Sequence, residues 1–296
     1  MVANSTHVRQ IVELMRAATA CNLTTPSCVG CVIQLGSLNA KEVLVAADLH
    51  GNRLNFEKLL AKADLLSNPG RHLVMQEVCH GGPTYPGGGC MSHLLLEDVA
   101  KLKVAFPERF HFILSNHELA ELTDFAIMKS GKMLNLSFRE GMQRLYGDQS
   151  EEVRAAYLEF LASCPVAVRL ESGIVICHSA PENVDREGYA TQVFGRRLEP
   201  RDFKPRSPVF CLVWGRDFRE ENAVAFADLV QADLLIHGHE PCELGFQVPN
   251  SRQIILDCCS EDACFVVVPA SGKITQQEVV DRIIKLHSPA TNDPNE

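Results

Sequence analysis

A chain of 296 residues with 46% hydrophobic side chains is long enough to hold one large core or two small ones. Its net charge of -9, from 28 Lys and Arg against 37 Asp and Glu, argues against nucleic acid as the main partner, because phosphate backbones are held by clustered cations. A compact anionic substrate stays open, since a bound metal reverses the local sign. No apolar run nears the length of a membrane span, and the first residues lack the basic start and apolar core of an export signal. A cytoplasmic protein without a membrane partner is expected.

In chain order, Val8, Ile11, Val12, Met15 and Ala18 fall at helical spacing within His7 to Ala18, with Ser5 or Thr6 available as the cap. Cys31 to Leu35 and Val43 to Ala47 read as strands around the turn GSLNAK. Asn55 to Leu66 resumes helical spacing until Asn68, Pro69 and Gly70 stop it. A second strand, turn and helix follow as HLVMQEV, the loop GGPTYPGGG and a helix from about His93 to Phe106, before RFHFILS enters Asn116 as a strand. After a helix over Glu151 to Ala162, the segments VAVRL, GIVICHS, LLIHGH, GFQVPN, RQIILDC and CFVVVP read as short strands, with one helix at about Asn222 to Val230. No Pro-, Ser- or charge-rich linker divides the halves, so one domain with sheets face to face and helices outside is expected. The Gly- and Pro-rich loop is either a plain connection or a mobile flap over a site.

Twelve scattered cysteines in a chain without an export signal point to reduced, mostly buried thiols. Cys28 and Cys31, with Cys21 nearby, could hold zinc or cycle as a dithiol, but no second CxxC follows and packing is the favoured reading.

The chemistry lies where strands stop. LVAA ends in Asp48 and His50, LVMQ in Glu77 and His80, HFILS in Asn116 and His117, IVIC in His178, and LLIHG in His239. In open α/β sheets such ends share one edge, where ligands bind. Carboxylate, amide oxygen and imidazole together favour manganese, iron or zinc over a calcium cage or a structural thiolate site. Six candidate ligands, Asp48, His50, Glu77, Asn116, His178 and His239, are too many for one ion that keeps an open position. Two ions roughly 3.5–4 Å apart can clamp both oxygens of an in-line phosphoryl displacement.

The order DLHGN, SNHE, CHSAP and IHGHE, with VWGRD and RQIILDC, resembles the calcineurin-like metallophosphoesterases, specifically their serine/threonine protein phosphatase branch, over about Val43 to Val268. The resemblance implies a four-layer α/β/β/α sandwich with mixed sheets and helices outside. It implies a catalytic domain over 41–270, between an N-terminal helix and leader strand (1–40) and a C-terminal helix and tail (271–296). Asp48 and His50 would serve one divalent ion and Asn116, His178 and His239 the other, with Glu77 bridging. A hydroxide between the ions would attack, and His117 would protonate the leaving oxygen.

Where the family reads GDxVDRG this chain reads QEVCHGG, so Glu77 stands for the first aspartate, His80 for the second and Gly81 for a phosphate-binding arginine. His80 must then orient His117 or bind metal. Asn52, Arg53, Arg216 and Arg219 are the candidates for holding phosphate in place of the lost arginine. Gln76 for glycine leaves less room beside the floor. The expected function is hydrolysis of a phosphate monoester, on phosphoprotein serine or threonine or on a small phosphoester. A phosphodiesterase or dinucleoside polyphosphate hydrolase of the same fold is the second reading, and a non-catalytic metal- or phosphate-binding relative the third.

Overall fold

A computed structural model describes residues 3–287; the expected NDPNE tail lies outside them. The elements in order are α1 (Ser5–Thr24), β1 (Cys28–Val29), β2 (Val32–Leu35), β3 (Glu42–Asp48), α2 (Arg53–Ala63), β4 (Arg71–Gln76), α3 (Ser92–Ala105), β5 (Phe110–Ile113), α4 (Asn116–Thr123), β6 (Met128–Lys129), β7 (Lys132–Met133), α5 (Leu134–Tyr146) and α6 (Ser150–Ser163). They continue as β8 (Ala167–Leu170), β9 (Ile174–Cys177), α7 (Val184–Glu187), α8 (Pro208–Trp214), α9 (Glu220–Leu229), β10 (Leu234–His237), β11 (Phe246–Asn250), β12 (Gln253–Leu256), β13 (Cys264–Pro269), α10 (Gln276–Val280) and β14 (Ile283–Lys285).

Side-chain alternation along the strands builds the layers. On β3, Val43, Val45 and Ala47 face one core while Leu44 and Ala46 face another. On β13, Val266 and Val268 join the first and Phe265 the second. The first core also takes Ile174 and Ile176 of β9 and Ile254 and Leu256 of β12, so it lies between the two sheets. The second receives Leu95 and Val99 of α3 and Phe226 of α9, which cover the outer faces. Strands buried on both faces read as unbroken apolar runs, as β3 does. Each branched side chain lost from water there is worth about 2 kcal/mol.

One sheet runs β1-β2-β8-β9-β10-β12-β11 and the other β14-β13-β3-β4-β5. β3, β4 and β5 are parallel, as are β9, β10 and β12, while β13 and β11 are antiparallel additions. This is the mixed, four-layer α/β/β/α arrangement. Parallel strands bring their carboxyl ends to one edge, and a parallel bridge between Asp48 and Asp257 ties the two sheets together there.

The first helix starts two residues before the expected His7, because the Asn4 side chain, and not Ser5 or Thr6, accepts from the His7 amide at 2.9 Å. α2 stops at Ala63, where Asp64 turns left-handed (φ 37°). The pattern of the sequence did not show α4, α5 or the hairpin of β6 and β7. α5 turns Phe138, Met142 and Tyr146 inward, but Gly141 interrupts its helical signal. That glycine is required, since a Cβ there would collide with the Cys90 carbonyl.

Candidate active site

The strand ends meet around Glu77, which is 2% exposed. Its Oε1 lies 3.0 Å from His50 Nε2 and 3.7 Å from His117 Nε2, and its Oε2 lies 2.8 Å from His178 Nε2. Two groups of metal-ligating type therefore share this one carboxylate: His50, Glu77 and His117, and Glu77, His178 and His239. Asn116 Oδ1 sits 2.7 Å from His178 Nε2 and 3.1 Å from His239 Nδ1. Asp48 belongs to neither group. Its Oδ2 accepts from the His239 amide at 2.8 Å, while Oδ1 stands 3.9 Å from His178 Nδ1. Gly238 admits this carboxylate, because a Cβ there would strike Asp48 Oδ1.

The backbone is bent to make this possible. His50, Glu77, His80 and His239 hold φ of 42°, 46°, 65° and 73°, in the left-handed region that non-glycine residues enter at a cost of about 1–3 kcal/mol each. Such conformations turn His50, Glu77 and His239 into the common pocket, and turn His80 away from it toward His117 and Glu121.

Lone pairs decide whether the residues suit cations. His50 Nδ1 donates to the His80 carbonyl at 3.1 Å, so Nε2 is the atom turned toward Glu77. His178 Nδ1 meets Gln76 Oε1 at 2.8 Å, which turns its Nε2 toward Asn116 Oδ1 and Glu77 Oε2. Gln76 thus orients a ring as well as filling the glycine's space. Asp48 Oδ1, Glu77 Oε2 and His239 Nε2 are buried without a hydrogen-bond partner. Electron pairs that face one another away from water are what a cation relieves, and this mixture of oxygens and imidazoles suits a first-row divalent ion. The residues fit.

The charges follow from the same crowding. Burial, then the charge of Glu77 with Asp257 behind it, holds Asp48 well above the usual carboxylate range, His50 opposing. Glu77, despite its burial, is held well below that range by His117, His178 and His50. Burial pushes His117 down to about 3 against the pull of Glu77, and His239 down to about 2. His50, although buried, is raised to about 9 by Glu77 and Asp48.

His80 does not point at the floor. Its Nδ1 lies 3.0 Å from His117 Nδ1 and its Nε2 lies 2.8 Å from Glu121 Oε1. Glu121 was not singled out by sequence; the signal available was its place one turn beyond His117 on α4. Glu118, on the same helix, accepts from the amides of Val78 and Cys79 at 3.0 and 2.8 Å and so anchors the divergent loop.

Two clefts open on the floor, of about 550 and 320 Å³. Asn52 and Arg53 border the wider, Arg216 and Asp257 the narrower. Asn52 caps α2 and donates to the Cys259 carbonyl at 3.1 Å, Arg53 Nε donates to Asp98 at 2.8 Å, and Arg216 pairs with Glu240. Arg219 is not brought to either cleft: it is held by Asp185 and Asp217. Lys129, absent from the sequence reading, borders both clefts, and its charge acts on His50 and Cys259. It comes from the tight hairpin whose central residues, Ser130 and Gly131, have φ of 51° and 76°. Strands of two residues carry no periodicity to read.

Gly81 has φ +111°, and a Cβ there would lie 2.9 Å from the His50 carbonyl oxygen. An arginine at this position would therefore be strained, which accounts physically for its absence. The Gly- and Pro-rich loop is tied down: Tyr85 bonds His93 at 3.0 Å, Cys90 N donates to the Ser137 carbonyl at 2.8 Å, and Thr84 bridges to Cys90. Cys31 Sγ donates to the Val193 carbonyl at 3.4 Å, and no cysteine enters either ligand group.

The family model for calcineurin-like phosphoesterase matches residues 41–243. The chain belongs to that family. It is a metal-binding hydrolase of phosphoesters, and its relatives act on phosphorylated substrates. No curated protein sequence matches significantly. Among solved structures it is similar to a protein serine/threonine phosphatase from Saccharomyces cerevisiae described as similar to human phosphatase PP5, at 15% identity and TM-score 0.69, covering 94% of this chain and 88% of that one. A cold-active protein tyrosine phosphatase from a psychrophilic Shewanella aligns at 12% identity and TM-score 0.48, covering 79% of this phosphoesterase and 76% of that chain. Among the described residues no helix is long and apolar enough to cross a membrane.

Proposed function

We propose that this phosphoesterase hydrolyses phosphate monoesters with two divalent ions, Asp48 and His50 serving one, Asn116, His178 and His239 the other, and Glu77 both. The observation that carries the reading is Glu77, whose two oxygens face His50 at 3.0 Å and His178 at 2.8 Å. Bound ions supply positive charge to the phosphoryl oxygens and lower the pKa of water at the floor. His117 holds a proton at Nε2 and delivers it to the leaving oxygen, a role in which His80 orients it through Nδ1. The depression of His117 by burial means that this proton depends on negative charge nearby, from Glu77 and from the substrate phosphate. Lys129 takes the phosphate oxygens that an arginine at Gly81 would otherwise hold; Arg53 and Arg216 already have carboxylate partners. Asn52 borders the same cleft.

The wider cleft, whose walls include Leu54, Pro83 and Leu134, has room for more than a phosphate and keeps a diester or dinucleoside polyphosphate substrate as the second reading. The test is hydrolysis of p-nitrophenyl phosphate and of bis(p-nitrophenyl) phosphate with added manganese after chelator treatment. Wild type should turn over the monoester, and Asp48→Asn and Glu77→Gln should lose on the order of a thousandfold in kcat. Turnover of the diester alone would replace the monoester reading with the second one, and full activity in Glu77→Gln would remove Glu77 from the centre.

A further inference from the structure

We propose that Glu121 is a positioning residue, the far end of a relay Glu121, His80, His117 that dictates which nitrogen of His117 faces the cleft. This rests on His117 as the proton donor in the reading above.

Glu121 is 1% exposed. Its Oε1 accepts from Asn135 Nδ2 at 3.0 Å as well as meeting His80 Nε2 at 2.8 Å, and its Oε2 lies 3.9 Å from Arg139 Nε. Its neighbours besides His80, the Asn135 amide and the Arg139 guanidinium, both come from α5 and are both donor groups, so Glu121 is surrounded as an acceptor. His80 must then carry its proton on Nε2, leaving Nδ1 bare. His117 Nδ1, 3.0 Å away, supplies the proton between the two rings. His117 Nε2 is left facing Glu77 and the cleft.

The relay also replaces a charge. Where the resemblance expects an aspartate, His80 brings no negative charge when neutral, and Glu121 restores one a ring further away. Phe138 packs edge-on against His80 at 5.7 Å between ring centres.

The test uses leaving groups that differ in their need for a proton. The full chain, with manganese, is assayed on p-nitrophenyl phosphate, whose phenolate leaves unaided, and on phenyl phosphate, whose oxygen must be protonated. Glu121→Met should lower kcat on phenyl phosphate by about a hundredfold and Glu121→Gln, whose amide oxygen can still accept, by about tenfold. On p-nitrophenyl phosphate both should stay within about threefold of wild type, with KM unchanged. Imidazole nitrogen NMR of the wild type should show His117 protonated on Nδ1, and this signal should be lost in Glu121→Met. A parallel loss on both esters, no loss on either, or a wild-type His117 protonated on Nε2 alone overturns the relay. Failure of the wild type to hydrolyse either ester would instead overturn the functional reading, and the NMR tautomer would still decide the relay.

Discussion

Two of the buried polar clusters among the described residues differ in how well their carboxylate is matched by donors: around Glu97 one buried atom, His93 Nδ1, lacks a partner, and around Glu77 three do. Around Glu97, 3% exposed, the hydroxyls of Tyr146 and Tyr157 both donate to Oε1, the latter at 2.5 Å, and His93 Nδ1 stands 3.5 Å away while its Nε2 meets Tyr85. Burial, then Glu97, pushes both phenols up, so they remain donors. Around Glu77 the neighbours are imidazoles and an amide oxygen whose lone pairs point inward, and three buried atoms have no partner. Both clusters hold a buried carboxylate. What separates them is the supply of protons: a polar group satisfied by its own fold is structure, and one left wanting marks a place for a ligand.

The comparison breaks most readily through the two carboxylates. Glu97→Ala should lower stability by about 3 kcal/mol, because it leaves two phenols unpaired, with hydrolysis per folded molecule unchanged. Glu77→Gln should lower the stability of the ion-free protein by less, since the amide keeps an oxygen beside the histidines and loses only the charge paired with His50 and His178; urea midpoints of both variants check this pair. Next in size, a divalent ion at about 100 times its Kd should raise wild-type stability by about 2.7 kcal/mol and leave Glu77→Gln where it was, as thermal unfolding with and without chelator would read. Lys129→Ala should raise KM for a phosphate monoester by about tenfold with little change in kcat, the signature of a grip on ground-state phosphate. A rise in neither would return Lys129 to the solvated surface.

The smallest effect concerns a buried charge in neither cluster. Lys103 is 1% exposed, gives its ammonium protons to Thr25, Pro107 and Phe110 oxygens at 3.0, 2.7 and 3.2 Å, and is held by burial down to about 8. The folded protein then binds this proton less tightly than the unfolded chain. Stability from this site therefore rises as pH climbs above about 8, by about 1 kcal/mol over the first unit, and Lys103→Met should flatten the rise.

Much of the site was legible because its signals are local. An apolar run that stops at Asp48 and His50, and SNHE with a helix-capping serine before Asn116, each sit within a few residues of one another. The loop after β4 was legible only in part: Glu77 and His80 could be named, but not that His80 turns away from the floor, because its direction depends on a φ of 65° and on a carboxylate on α4. Arg219 had the chemistry for holding phosphate but is taken up by Asp217, two residues before it, and by Asp185, an acid that sequence spacing cannot show to be its neighbour.

The sequence by itself determined most of the strands and the edge to which they deliver carboxylate, amide and imidazole side chains, a mixture that suits a first-row divalent ion, since alternation and residue type are properties of short segments. Only the tertiary structure decided that Glu121 stands behind His80, that Lys129 hangs over both clefts, and that Gly81 lies too close to the His50 carbonyl to be an arginine. These depend on side chains from different elements meeting in one place, where a few tenths of an ångström choose between partners, and no local pattern encodes such a meeting.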